Sequence, residues 1–289
     1  MEQPIFNRKA WRRHLKRWKG APAPRFLLEA AAEDMRLNLA GLKREFKRVL
    51  ILNDWGGVVR AQVKHDFAVS LEPVEDFISS PLSAVGEEEA LPFAKHSFDL
   101  IIDCFGLNFT NDVPGALIQI KNILTPDGLF LGALLGAESF IELRQALLQA
   151  ESEVSGGVSP RLLPLLRYDM APGLLQRAGF ALPVCHREEI TALYPDFQAL
   201  VKEWRGIATS TMLHQHRRHF TARRVFERTA EIYPKIDGEL PVNLEVIYLN
   251  GWAPAATQQQ ALRPGAAKIR LADVLHTQEI STGDKAQPK

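Results

Sequence analysis

With 289 residues, 46% of them hydrophobic and 24% charged, the chain can bury a sizeable core and has the composition of an ordinary globular protein, which excludes fibrous and disordered classes. A formal net charge of +1 argues against a dedicated nucleic-acid binder, whose affinity would come from neutralising phosphates.

The first stretch departs from that average. Glu2 to Arg25 holds eight Lys/Arg (Arg8, Lys9, Arg12, Arg13, Lys16, Arg17, Lys19, Arg25) against one acid, interleaved with Trp11 and Trp18. It reads as a basic amphipathic arm with three roles open to it: an organelle transit peptide, a contact with a membrane surface or an acidic partner, or a helix that covers the domain and keeps its charges in solvent. No apolar segment of secretory type follows it, and no run approaches the roughly 18 residues of a membrane span.

Leu28, Ala31, Met35, Leu39 and Leu42 then recur at helical spacing, predicting a helix packed by one stripe. "RVLIL" is a buried strand ended by a tight turn at "NDWGG", and "DFAVSLEP" is a second strand. "SFDLIIDCF" has the near-continuous apolar run of a central strand covered on both faces. "NDVPGALIQIKNILTPDG" is a helix with a start signal at Asn111 and Asp112 and a stop signal at Pro126 to Gly128, leading into the strand "LFLGALLG". "SFIELRQALLQAESEV" is helical, "LLQRAGF" is a helix ending at Gly179 before a strand, Phe197 to Tyr233 is charged and mostly helical, and "NLEVIYLNGW" alternates as a strand. The spacing divides the chain into a basic arm and packing helix over 1–47, a main domain over 48–254 with a helical insertion near 196–235, and a largely unstructured tail over 255–289.

Strands alternating with helices imply right-handed crossovers and a doubly wound, mostly parallel α/β sheet. Ligands of such sheets sit beyond the carboxyl ends of the strands, where the strand order reverses. That places a candidate site at the turns after Leu52, Leu71 and Ile102. Cys104 and Cys185 make no metal or redox spacing and fit a reducing interior, so the expected location is cytoplasmic. In "HQHRRH" only His216 and His219 share a helical face, and the flanking arginines disfavour a cation. We therefore read it as a basic surface, name no metal ligand, and read His186 as a strand-end surface residue.

"EEEALPF" before "SFDLI", the segment from "NDVPGALIQIK" to "GALLG", and then "GGVSPR", "LLQRAGFALP" and "YLNGWAP" together resemble class I S-adenosylmethionine-dependent methyltransferases. Within them the chain resembles the branch containing a respiratory complex I assembly factor described in eukaryotes as a protein arginine hydroxylase. A malonyl-carrier-protein methyltransferase of biotin synthesis is a more distant likeness. The resemblance runs from about Phe6 to about Leu275. It implies a seven-stranded Rossmann-like sheet, an S-adenosylmethionine site, and a partner protein, in that branch a complex I subunit.

The family's first motif, D-x-G-x-G, is altered here. Aligned on "RVLIL", its acid becomes Ile51, its first glycine Asn53 and its second Trp55, and only the last remains, as Gly57. Asn53 can adopt the left-handed backbone that the turn needs. An indole at position 55 must either fill the pocket or push the turn away. A micromolar ligand is held by about 8 kcal/mol and a millimolar one by about 4; two or three lost hydrogen bonds at about 0.5–1.5 kcal/mol each, plus a steric cost, cover that difference. The acid that ends the family's second strand and holds the ribose aligns with Ser70, with Glu72 two residues on. Glu87 and Glu88 match the acidic loop near the adenine, and Asn108 and Phe109 replace a His-Trp pair.

The resemblance thus makes Asn53, Trp55, Gly57, Ser70, Glu72, Glu87 and Glu88 the candidate cofactor contacts. Asp103 and Asn108, with Asn111 nearby, are the candidate catalytic or substrate-orienting residues, with a turn-forming role as their alternative. The expected function is that of a superfamily member that modifies a side chain on a partner protein with a weakened or lost cofactor pocket. An active methyltransferase on a small molecule or carrier protein, and a non-catalytic assembly protein, are the alternatives.

Overall fold

The computed structural model describes residues 4–18, 24–204, 213–214, 221–258 and 269–278. His216 and His219 of "HQHRRH" lie outside the described residues. The chain divides into two compact units, Met1–Ala255 and Ala256–Lys289.

In chain order the first unit contains α1 (Arg8–Trp18), α2 (Arg25–Ala40), β1 (Arg48–Leu52), β2 (Phe67–Glu72), β3 (Ser83–Val85), β4 (Phe98–Cys104), α3 (Val113–Ile123), β5 (Leu124–Leu135), α4 (Ile141–Ser155), α5 (Ala171–Ala178), β6 (Ala181–Tyr194), α6 (Phe197–Trp204), α7 (Arg223–Ile232) and β7 (Leu240–Trp252). The second unit holds the short α8 (Leu271–Leu275).

The strands form one seven-stranded sheet in the order β3-β2-β1-β4-β5-β7-β6. Neighbours from β3 to β5 run parallel, while β7 is antiparallel to both β5 and β6. Alternation along the strands sends Val49, Ile51, Leu100 and Ile102 to one face, where they pack with Leu28, Ala31 and Met35 of α2. Leu50, Leu52, Ile101 and Phe130 go to the other face, against Leu117 and Ile120 of α3 and Leu175 of α5. A sheet covered on both sides needs the continuous apolar runs that β1 and β4 carry.

The helix starts and stops follow local chemistry. Asp112 caps α3, its carboxylate accepting from the Gly115 amide at 2.8 Å, with proline in the first turn. Gly179 ends α5 at φ 83°, a conformation that costs glycine little. The Pro126–Gly128 stop differs from expectation: α3 ends at Ile123 and these residues already belong to β5, with Asp127 taking the left-handed turn at φ 62°.

The strand order reverses between β1 and β4. Their carboxyl ends, with that of β2, define the crevice where such sheets bind ligands.

Candidate functional site

The turn leaving β1 is strongly wound. Asn53, Trp55, Gly56 and Gly57 have φ of 61°, 50°, 77° and 98°, so two residues with side chains hold a backbone that favours glycine. This winding turns the Trp55 indole back across the strand ends, where Nε1 donates to the Cys104 carbonyl oxygen at 2.7 Å. The ring meets Phe77 edge-on at 5.6 Å. Asn53 points along the crevice instead, its Nδ2 donating to Glu88 Oε1 at 2.9 Å and to Asp103 Oδ1 at 3.2 Å.

The second acid stands at the end of β2. Glu72 Oε1 accepts the Asp54 amide at 3.1 Å, and Oε2 is buried without a partner. Ser70 lies earlier in the strand and bonds the Ser83 hydroxyl of β3 at 2.7 Å. The structure therefore puts Glu72, and not Ser70, at the position where a ribose-binding acid would stand. Gly57 faces Ser79, not the crevice.

The basic arm supplies a part of the site that the sequence did not reveal. Trp11 and Leu15 of α1 are fully buried, and Trp11 stacks on Phe109 at 5.0 Å. Arg8 lies over the Trp11 ring, donates to the Phe109 carbonyl at 3.1 Å and forms a close ion pair with Glu88. Arg12 pairs with Glu87 at 3.0 Å. Of the three roles open to the arm, the helix covers the domain with its apolar face, leaving Lys9, Arg13 and Arg17 on the outside.

Asn108 and Asn111 are both engaged in structure. Asn108 donates to the Leu135 carbonyl at 3.1 Å and accepts its amide at 2.9 Å, tying the turn after β4 to the end of β5. Asn111 accepts the Phe6 amide at 2.7 Å and so holds the extended segment that precedes α1. Asp103 accepts the Leu107 amide at 3.1 Å. His186 stacks on Tyr248 at 4.5 Å and meets Asp34 at 3.2 Å, away from this group.

The electrostatics follow from enclosure. Burial, reinforced by the charge of Asp54, pushes Glu72 up to about 8. Burial and then Glu88 do the same to Asp103, which also reaches about 8. Enclosure thus favours the protonated form of both acids. Among the described residues no cluster of His, Cys, Asp or Glu could hold a metal ion.

Fit to S-adenosylmethionine divides the crevice in two. Glu72 Oε2 and Asn53 Oδ1 are buried oxygens without partners, which suits the hydroxyl groups of that molecule, since a hydroxyl can both donate and accept. The remainder does not fit, because the indole spans β1 to β4 and Arg8 occupies the Glu88 carboxylate. Exposure is 1% at Asn53, 4% at Trp55, 0% at Glu72, 3% at Glu88 and 0% at Asp103, so protein atoms already fill the space around them.

Comparison with known proteins places this geometry. The family model of a methyltransferase domain matches residues 67–132, from β2 to the middle of β5. Arginine-hydroxylase NDUFAF5, mitochondrial, of Danio rerio is 32% identical over 196 residues, which cover 66% of this chain and 60% of that protein. The chain thus spans less than two thirds of the length of that relative. Malonyl-[acyl-carrier protein] O-methyltransferase of Xylella fastidiosa is 30% identical over 241 residues, covering 82% of this chain and 77% of the relative. A candidate methyltransferase of Bacillus halodurans, solved by crystallography, shares the fold at a TM-score of 0.54 and 16% identity, covering 77% of this chain and 98% of that one. With its mostly parallel sheet, its reversal between β1 and β4 and these relatives, the chain belongs to the class I S-adenosylmethionine-dependent methyltransferase superfamily.

Proposed function

We propose that this protein is an assembly factor of the methyltransferase superfamily that acts on or with a partner protein, and that its S-adenosylmethionine pocket is weakened or lost. The observation that carries the reading is the Trp55 indole bonded to the Cys104 carbonyl in a crevice whose polar residues are buried by the protein itself. An open cofactor cleft leaves its lining accessible to water. Here Arg8 and Trp11 of α1 complete the enclosure.

The partner in this proposal is a subunit of respiratory complex I, in line with the likeness to the arginine-hydroxylase relative. The outer face of α1 supplies a contact. Lys9, Arg13 and Arg17 recur every four residues and so share one exposed face, which suits an acidic protein surface or the headgroups of a membrane. A reducing, cytoplasmic location agrees with the two free cysteines. No described helix is long and apolar enough to cross a membrane.

A second reading keeps the enzyme: an active methyltransferase on a small molecule or carrier protein. The unpartnered Glu72 Oε2 and Asn53 Oδ1 favour it, as does the likeness to the carrier-protein methyltransferase. Calorimetric titration of the purified protein with S-adenosylmethionine separates the two. Affinity weaker than about millimolar is expected here, whereas a dissociation constant of roughly tens of micromolar returns the enzyme to first place. Deleting the gene and measuring complex I abundance tests the partner: a drop is expected, and unchanged abundance removes the assembly role.

A further inference from the structure

Away from the crevice lies a cavity of about 480 Å³ beyond the end of β5. Its size falls within the roughly 300–1,000 Å³ of small-molecule sites. One wall is the segment after α4, with Leu162, Leu163 and Leu165 set between prolines. The facing wall is Ile5 and Leu213, held together because Phe6 bridges to Leu213 and the His214 amide donates to the Ile5 carbonyl at 3.0 Å.

The leucine wall is fixed from behind. The buried carboxylate of Glu151 accepts the Ser159 amide at 2.9 Å and its hydroxyl at 2.8 Å, and pairs with Arg161 at 2.7 Å. A wall anchored in this way does not have to be ordered when a ligand enters, which lowers the cost of binding.

Arg144 of α4 enters the lining. Its neighbours on this side of the molecule have carboxylate partners: Arg161 has Glu151, and Arg228 has Glu153 and Glu231. Arg144 has no ion pair or side-chain hydrogen bond with any described residue, and no acid lines the cavity among the described residues. Ile5, at 51% exposure, is an apolar side chain left uncovered on the facing wall. The lining therefore joins an uncovered apolar surface to a guanidinium that has no carboxylate partner among the described residues.

We propose that this cavity binds an apolar molecule ending in a carboxylate, with its chain against Leu162, Leu163 and Leu213 and its carboxylate paired to Arg144. A guanidinium presents a planar fork that matches a carboxylate with two parallel bonds. A neutral apolar ligand would shield Arg144 from water and give it no counter-charge. A cationic one would meet the Arg144 guanidinium with no carboxylate in the described lining to offset it. The inference stands apart from the state of the cofactor crevice, since no residue is shared between the two.

The test is calorimetric titration of the full chain with sodium decanoate, with decanol and acetate as controls. Decanoate is expected to bind at least about tenfold more tightly than either control. Arg144→Gln should weaken decanoate about tenfold and leave decanol unchanged. Leu163→Trp, which fills the space, should abolish decanoate binding; Leu165→Trp serves as the filling variant if thermal melting shows that the first does not fold. Absent decanoate binding, decanoate no tighter than decanol, or affinity undiminished in Arg144→Gln overturns the proposal.

Discussion

Trp55 Nε1 donates to the carbonyl oxygen of Cys104 at 2.7 Å, joining the turn after β1 to the last residue of β4. This bond closes the reversal point of the sheet from within. Replacing Trp55 with glycine should raise affinity for S-adenosylmethionine at least about tenfold, or about 1.4 kcal/mol, by calorimetry. Stability should fall, because removing a buried Trp side chain costs about 3–5 kcal/mol. Glycine at φ 50° relieves part of that loss. Unchanged affinity in a folded variant would show that the indole is not the obstacle.

Arg8 and Glu88 are the second closure. Arg8→Ala leaves a buried carboxylate without its counter-charge, and breaking such a pair costs about 3–5 kcal/mol. Urea unfolding of Arg8→Ala, Glu88→Ala and the double variant should give a double-variant loss smaller than the sum of the singles. Strict additivity would mean that the two groups do not interact energetically.

Stability should fall as pH rises from about 4 to about 8. Unfolded carboxyl groups release their protons near pH 4. Glu72 and Asp103 hold theirs in the folded protein up to about 8. The native state therefore binds more protons across this window, and raising the pH favours unfolding. Thermal melts should give a midpoint several degrees lower at pH 8 than at pH 5.5. Glu72→Gln and Asp103→Asn should each flatten the slope, and a slope preserved in both variants would contradict the assignment.

Glu151 behaves in the opposite sense. Burial alone would raise its pKa, but the bonds from Arg161 and Ser159 outweigh burial and hold it at about 2. Its contribution is full above the unfolded value near 4 and is lost as pH falls toward 2. Glu151→Ala should free the segment over 156–165, with faster limited proteolysis there at neutral pH. Cleavage at the wild-type rate would show that the latch does not order the loop.

Much of this architecture could be read from residue order. The apolar run of β4 and the Asp112 cap of α3 are local signals, and the structure places both elements where those signals lie. The turn after β1 was legible as altered because glycine is the residue its backbone favours, and Trp55 stands in it. Ser70 and Glu72 were not separable, because both lie in one short strand and period-two alternation does not mark where a strand ends. The closing role of Arg8 and Trp11 was hidden for a different reason. Their partners Glu88 and Phe109 lie 80 or more residues away, and a basic, Trp-containing helix has the same pattern whether it rests on solvent or on a domain.

The short run from Pro4 to Arg8 reaches both the leucine-walled cavity and the crevice. Ile5 lines the leucine-walled cavity, Asn111 grips Phe6, and Arg8 ends in the acidic crevice. A substitution that removes the bond between Asn111 and the Phe6 amide would therefore loosen the cavity wall and the Arg8–Glu88 ion pair together.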